Sequence, residues 1–132
     1  MAPESHPQPI ELKLPPETGS VPHARKLMRR YAAELGADAE AVALAVSEAV
    51  SNAVLHAYRG VRKGMIALCA EPAADGSLVV TVIDRGVGMQ PDHEHGGLGL
   101  GLPLIGLVAD SVDVSSQAGS GVELRMRFRR SA

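Results

Sequence analysis

The sequence predicts an α+β fold, a two-layer α/β sandwich in which one mixed, mostly antiparallel sheet carries helices on one face. Three observations lead there. Short apolar–polar alternating runs open and close the chain, and two short apolar, strand-like runs stand in its middle, as the strands of one sheet do. Two patterns at helical spacing stand between the first such run and the others. The chain has 132 residues, the size of one domain with a single core, so these elements must pack against one another in two layers.

Met1 to Pro9 carries three prolines and no periodicity, and reads as a disordered tail over 1–9, with the domain itself spanning 10–130. Ile10-Glu11-Leu12-Lys13-Leu14 alternates strictly and reads as a strand that Pro15-Pro16 ends. Ser20 is placed to cap a helix with Pro22 in its first turn; the helix runs to about Leu35, and Gly36 stops it. Its basic residues Arg25, Lys26, Arg29 and Arg30 form a solvated face or a surface for an acidic partner, the first being the commoner case. Asp38 caps the next helix, which ends by Gly60. Met65 to Glu71 and Leu78 to Asp84 read as strands joined by a hairpin turn at Ala73-Ala74-Asp75-Gly76. Arg85 to Gly101 holds six glycines and no hydrophobic period; such a long irregular stretch in a compact domain is usually functional or mobile. Leu102 to Ala109 is helical, and Val112-Asp113-Val114 and Val122 to Phe128 form a closing strand pair around Gly119-Ser120-Gly121.

Composition narrows the function classes. Hydrophobic residues make up 45% and charged residues 21%, as in an ordinary globular domain. A net charge of −2 argues against direct nucleic-acid binding, which calls for a basic excess. Cys69 is the single cysteine, so no internal disulfide forms and a reducing compartment fits. No apolar run reaches the ~20 residues of a membrane-spanning helix, and no signal-peptide pattern opens the chain. A cytoplasmic protein that does not enter a membrane is therefore expected. With no Trp and one Phe, the core must be aliphatic.

The second helix carries the chemistry. Val42, Val46, Ala49, Val50, Ala53 and Ala57 cover one side, and Leu44, Ala45 and Leu55 lie on the other. A helix with no polar face is usually buried. Yet Glu48, Asn52 and His56 recur every fourth residue and form one stripe, and Glu48 has no Lys or Arg three or four residues away on its own helix. Burying an unpaired carboxylate is costly without compensation. Glu48 and Asn52 either cap a neighbouring loop or serve a site.

Asp84 closes a strand and is followed by Arg85-Gly86-Val87-Gly88-Met89. A carboxylate there can accept a hydrogen bond from an exocyclic amine, and the glycines permit close approach of a flat ring; by itself the pattern is equally a turn. Gly96-Gly97-Leu98-Gly99-Leu100-Gly101-Leu102-Pro103 then opens a helix with no side chain available as a cap. Free N–H groups at such a helix start suit an anion. This is no phosphate loop of the Gly-Lys-Ser/Thr kind, and Leu104 stands where a dinucleotide fingerprint has its third glycine. His93-Glu94-His95 with Asp92 could suggest zinc, but the spacing is too tight and no cysteine is near, so a polar loop is the better reading.

In order, these parts are a helix with Glu48 and Asn52, then Asp84-x-Gly86-x-Gly88, then a glycine-rich lid opening a helix. Together they resemble the GHKL (Bergerat-fold) ATPase superfamily, and within it the anti-sigma-factor serine/threonine kinase branch. Glu48-Ala-Val-Ser-Asn52-Ala-Val-Leu-His56-Ala-Tyr58 is similar to that branch's N box, and Gly99-Leu-Gly101-Leu-Pro-Leu-Ile105 to its lid-to-helix junction. The resemblance covers about residues 10 to 129. It implies ATP as substrate and Mg²⁺ as cofactor. Asn52 would coordinate Mg²⁺ on the phosphates and Glu48 would act as general base. Asp84 would hold the adenine amino group, and Gly97, Gly99 and Gly101 would wrap the triphosphate. Gly86, Gly88, Met89, Leu98, Leu100 and Leu102 complete the implied nucleotide-binding set. The residue types suit these roles: Mg²⁺ takes oxygen ligands, a carboxylate in an apolar wall can serve as a base, and phosphoryl transfer needs mainly positioning and charge stabilisation.

The resemblance departs at Val122, where the superfamily often has a threonine after the second glycine of Gly119-Ser120-Gly121; a phosphate contact is expected to be lost there unless Ser120 substitutes. His56 matches the branch pattern without a catalytic role, and a structural hydrogen bond is expected of it. The implied partners are a sigma factor, an anti-anti-sigma protein of the STAS type as phosphoacceptor, and a second copy in a homodimer. The alternative is a nucleotide-gated binding module without kinase turnover. A histidine-kinase catalytic domain is disfavoured because no helical hairpin for a phosphoacceptor histidine stands in this sequence.

Overall fold

A computed structural model describes residues 7–59, 64–84, 102–117 and 121–130. Ile10–Leu14 (β1) leads into two helices, Ser20–Leu35 (α1) and Ala39–Arg59 (α2). Ile66–Pro72 (β2) and Leu78–Asp84 (β3) follow, then Leu102–Val108 (α3), Ser111–Gln117 (β4) and Gly121–Phe128 (β5). The five strands form one sheet in the order β1-β2-β3-β5-β4. Each of its four ladders is antiparallel, so the mostly antiparallel sheet expected from the sequence is antiparallel throughout. The architecture is α+β, with helices on one face.

Local chemistry sets the element ends. Asp38 caps α2 as expected: its carboxylate accepts from the N–H groups of Glu40 (3.2 Å) and Ala41 (3.1 Å). Gly36 closes α1 in the left-handed region at φ 90°, and its N–H returns to the carbonyls of Ala32 and Ala33. Ser20 is not the cap of α1; Gly19 occupies that place, and the Ser20 hydroxyl donates to the Pro15 carbonyl at 2.7 Å, tying the helix start to the end of β1. The β2–β3 hairpin turns at Ala73–Gly76 as expected, with Gly76 at φ 89° and the Ser77 N–H bonded to the Asp75 carboxylate. Of the expected tail, residues 1–6 lie outside the described residues, and the Gln8 carbonyl accepts from the Tyr31 hydroxyl at 3.1 Å.

The core lies between the helix layer and one face of the sheet. Alternation on β3 sends Leu78, Val80, Val82 and Asp84 inward, and β5 sends Val122, Leu124, Met126 and Phe128 to the same side. They meet Ala45, Val46, Ala49, Val50 and Ala53 of α2, within one aliphatic cluster completed by Met28, Ile66, Leu68 and Ile105. Among the described residues, no helix is long and apolar enough to cross a membrane.

Candidate functional site

The inward rows of β3 and β5 and the buried side of α2 do not close completely at one end. A pocket enclosing about 270 Å³ of empty space, its mouth included, opens there. Its walls are Ala49, Asn52 and Ala53 of α2, Val82 and Asp84 of β3, and Val122 and Leu124 of β5. The gap follows from side-chain size. Where α2 crosses the sheet end it offers only the small side chains of Ala49 and Ala53 on either side of Asn52.

The polar members arrive from different elements. Asp84 is the last residue of β3, and period-2 alternation points it inward in the row that begins at Leu78. It is only 4% exposed, between Ile66 of β2 and Val122 of β5 in the ladder register. Asn52 is only 5% exposed, and its amide Nδ2 is buried without a hydrogen-bond partner among the described residues. Buried polar groups are nearly always paired, because an unmade bond costs about 1–3 kcal/mol. An orphaned amide aimed into a pocket therefore points to a ligand that completes it. A half-turn about χ2 exchanges its oxygen and nitrogen, so it can offer either a donor or an acceptor.

Glu48 lies one turn before Asn52 on α2 and is half-buried, on the solvent side of the pocket rather than in its wall. Of the stripe formed by Glu48 and Asn52, Asn52 is buried and lines the pocket, and Glu48 is only partly buried. The chemistry available is a buried carboxylate, a buried unpaired amide and, one turn outward, a carboxylate open to solvent. Magnesium fits this donor set. One neutral amide oxygen is a sufficient protein ligand when phosphate and water supply the rest, and no cluster of three or more His, Cys, Asp or Glu side chains that could hold a metal occurs among the described residues.

Other expected residues fall as follows. Gly86, Gly88, Met89, Gly97, Leu98, Gly99, Leu100 and Gly101, the lid and His93-Glu94-His95 lie outside the described residues, as do Gly119 and Ser120 and the side chains of His56 and Tyr58. Leu102 begins α3. Val122 is a pocket wall, buried and directly across the ladder from Asp84. Of the basic residues on α1, Arg29 is already paired with Glu40 through two contacts of 3.1 and 3.3 Å, and Arg25 donates to the Ser47 hydroxyl at 3.4 Å. The sequence reading did not foresee Ala49, Ala53, Val82 and Leu124 as walls. The one available signal was the pair of alanines flanking Asn52.

The fold and site can be set beside known proteins. The family model described as the histidine kinase-like ATPase domain matches residues 14–128. None of the curated proteins matches the chain. Among solved structures, the RsbU and RsbW domains of Rv1364c from Mycobacterium tuberculosis superpose with a TM-score of 0.73 and 27% identity, over 96% of this chain and 34% of that one. The histidine kinase domain of the blue-light activated histidine kinase EL346 from Erythrobacter litoralis gives a TM-score of 0.61 at 19% identity, over 87% of this chain and 61% of that one. Full-length ShkA, solved in complex with AMPPNP, gives 0.52 at 21% identity, over 91% of this chain and 32% of that one. This chain thus spans about a third of the length of the first of these structures.

Proposed function

We propose that this chain, which belongs to the histidine kinase-like ATPase domain family, is an ATP-dependent serine/threonine protein kinase that doubles as an anti-sigma factor. In this reading it phosphorylates an anti-anti-sigma protein of the STAS type and holds a sigma factor while that antagonist is inactive. The observation that carries the reading is the orphaned Asn52 amide, buried in the same pocket as Asp84, with Glu48 one turn outward on the same helix. The RsbW domain in the structural neighbour, the match at 27% identity, supports the anti-sigma branch over the sensor histidine kinases, which match at lower identity.

Each residue then has a task. Asp84 accepts from the adenine amino group. Asn52 would hold Mg²⁺, which when bound would supply charge neutralisation for phosphoryl transfer. Glu48, with access to solvent, takes the proton from the partner's hydroxyl as that oxygen bonds to the γ-phosphorus and the bond to the β-phosphate oxygen breaks, leaving ADP. Val122 stands beside Asp84, so the hydroxyl missing at that position would have reached the base end of the pocket rather than the phosphates. This favours the view that phosphoryl transfer is intact and that any loss falls on adenine affinity. It also gives a second reading some footing, a nucleotide-gated binding module without turnover, if the weakened base contact limits occupancy.

The deciding experiment incubates the chain with γ-labelled ATP, Mg²⁺ and purified STAS-domain proteins of the source cell. Label should appear on Ser or Thr of one of them, and Glu48→Gln should keep ATP binding while transfer falls about 10²- to 10⁴-fold. Transfer by Glu48→Gln at the wild-type rate removes Glu48 as the base. ATP binding without any transfer by the wild-type chain selects the binding module.

A further inference from the structure

The solvent side of α2 shows where a protein substrate would have to lie. Between Glu40 and Leu55 the residues of α2 that reach solvent are Glu40, Ala41, Leu44, Glu48, Ser51 and Leu55; every other residue in that span is buried. At about 3.6 residues per turn the six fall within one arc of roughly 100°. Two of them are large and apolar: Leu44 is 38% exposed and Leu55 is 47% exposed. They bracket Glu48, one turn before it and two turns after it. Single exposed leucines are common on soluble proteins. Two aligned on either side of a half-buried carboxylate, on a helix otherwise given to the core, form a continuous contact strip.

The two flanks of the strip differ. On one side α1 packs against α2, and there Arg25 donates to the Ser47 hydroxyl and has no carboxylate partner among the described residues. Arg29, the next basic residue along that flank, is neutralised by Glu40. On the other side lies the pocket wall at Asn52. A protein laid along the strip meets a cation on one edge and the pocket on the other.

We propose that the Leu44–Glu48–Leu55 strip is the docking surface of the phosphoacceptor protein. The partner it fits places an apolar patch on Leu44 and Leu55, a carboxylate against Arg25, and a Ser or Thr hydroxyl at Glu48. The assignment rests on the kinase reading of Glu48: this partly exposed base shares the solvent side of α2 with Leu44 and Leu55, so a hydroxyl presented over that side meets it. A second copy of this chain is the competing occupant, and the test separates the two.

The double substitution Leu44→Asp with Leu55→Asp puts charge into the strip without touching the pocket walls, and Val114→Asp, at a comparably exposed aliphatic on β4, is the control. Each purified STAS-domain protein of the source cell is titrated against the three chains, and a fluorescent ATP analogue is titrated in parallel. The expected result is one STAS-domain protein that binds the wild-type chain and loses at least about tenfold in affinity to the double variant. Its KM should rise and its kcat at saturation should hold. The control should match wild type, and the ATP analogue should bind all three alike. Unchanged partner affinity in the double variant overturns the docking assignment, as does a wild-type chain that binds none of the STAS-domain proteins. A double variant that changes only the oligomeric mass by light scattering gives the strip to a second copy instead. Failure of the wild-type chain to bind the ATP analogue removes the kinase reading itself, and the docking assignment with it.

Discussion

Replacing Asn52 by Leu should raise stability and weaken nucleotide binding together. Leucine keeps the branch point at Cγ and exchanges two polar atoms for methyl groups. In the structure, Asn52 is buried with its amide nitrogen unpaired among the described residues, so the folded state bears the cost of a desolvated donor. That cost is about 1–3 kcal/mol, and leucine removes it while adding apolar contact with Val82, Val122 and Leu124 across the pocket. Taking about 1–2 kcal/mol as the net gain after imperfect packing, the shift in melting temperature follows from the unfolding entropy. At about 2.1 cal/mol/K per residue, 132 residues give roughly 0.28 kcal/mol/K, or about 3.6 °C per kcal/mol. Thermal unfolding followed by circular dichroism should therefore move up by about 4–7 °C in the absence of nucleotide. Calorimetric titration of the same variant with ATP and Mg²⁺ should show at least a tenfold loss of affinity. Most buried polar substitutions lower stability, so the sign is diagnostic. A fall of several degrees would mean that the amide serves the fold, and the argument from its unmet hydrogen bond would collapse.

Other expectations follow from the same geometry. Ala53→Leu should fill the pocket beside Asn52 and cancel ATP binding while the protein remains folded; retained affinity would place the nucleotide elsewhere. ATP should bind at least about tenfold more tightly than GTP, because Asp84 would meet the guanine carbonyl with lone pair against lone pair; equal affinities by calorimetry would free Asp84 from the base-reading role. The Cys69 thiol is pushed above its ordinary range, first by burial and then by Glu11, its partner across the β1–β2 ladder, and by Glu71. The reactive species is the thiolate, so alkylation by iodoacetamide at pH 8 should be slower than for free cysteine and its rate midpoint should lie at higher pH; a midpoint below that of free cysteine would contradict the sign.

Much of the fold is legible in short-range chemistry. The strict alternation of Ile10–Leu14 fixes that strand to the residue, because period 2 leaves little choice of boundary when Pro15 ends the row, whereas Leu78–Asp84 is bounded by the turn before it and by Asp84 at the end of its apolar run. Asp38 and Gly36 are recognisable for the same reason: a capping carboxylate and a left-handed stop act within one turn. Ser20 misleads because a serine near a helix start can accept from the helix or donate to the chain before it, and here the Pro15 carbonyl wins. The Arg29–Glu40 pair joins two helices, so no local rule could have found it, and it takes one charge out of the basic face that α1 offers to a partner.

The site itself is half legible, and the division has a physical cause. Asn52 and Asp84 stand out because polar side chains in apolar rows are costly, and that cost is visible in sequence. Ala49, Ala53, Val82 and Leu124 do not stand out, because a residue facing a cavity and one facing a neighbour have the same composition and period. What distinguishes them is where α2 crosses the sheet, and that depends on long-range packing. Val122 makes the point most sharply. Its identity marks a departure from the superfamily pattern, and sequence order alone assigned that departure to the phosphates. The β3–β5 register instead sets Val122 directly opposite Asp84. Both are inward residues at the same end of adjacent strands, so a valine methyl and not a hydroxyl faces the pocket beside the carboxylate. If Asp84 reads adenine, the base is held there with one polar neighbour fewer than the superfamily usually supplies, and restoring the hydroxyl by Val122→Thr should raise ATP affinity while leaving the transfer rate at saturation unchanged. A change in that rate instead, with affinity constant, would return position 122 to the phosphate end and undo the orientation argued for the nucleotide.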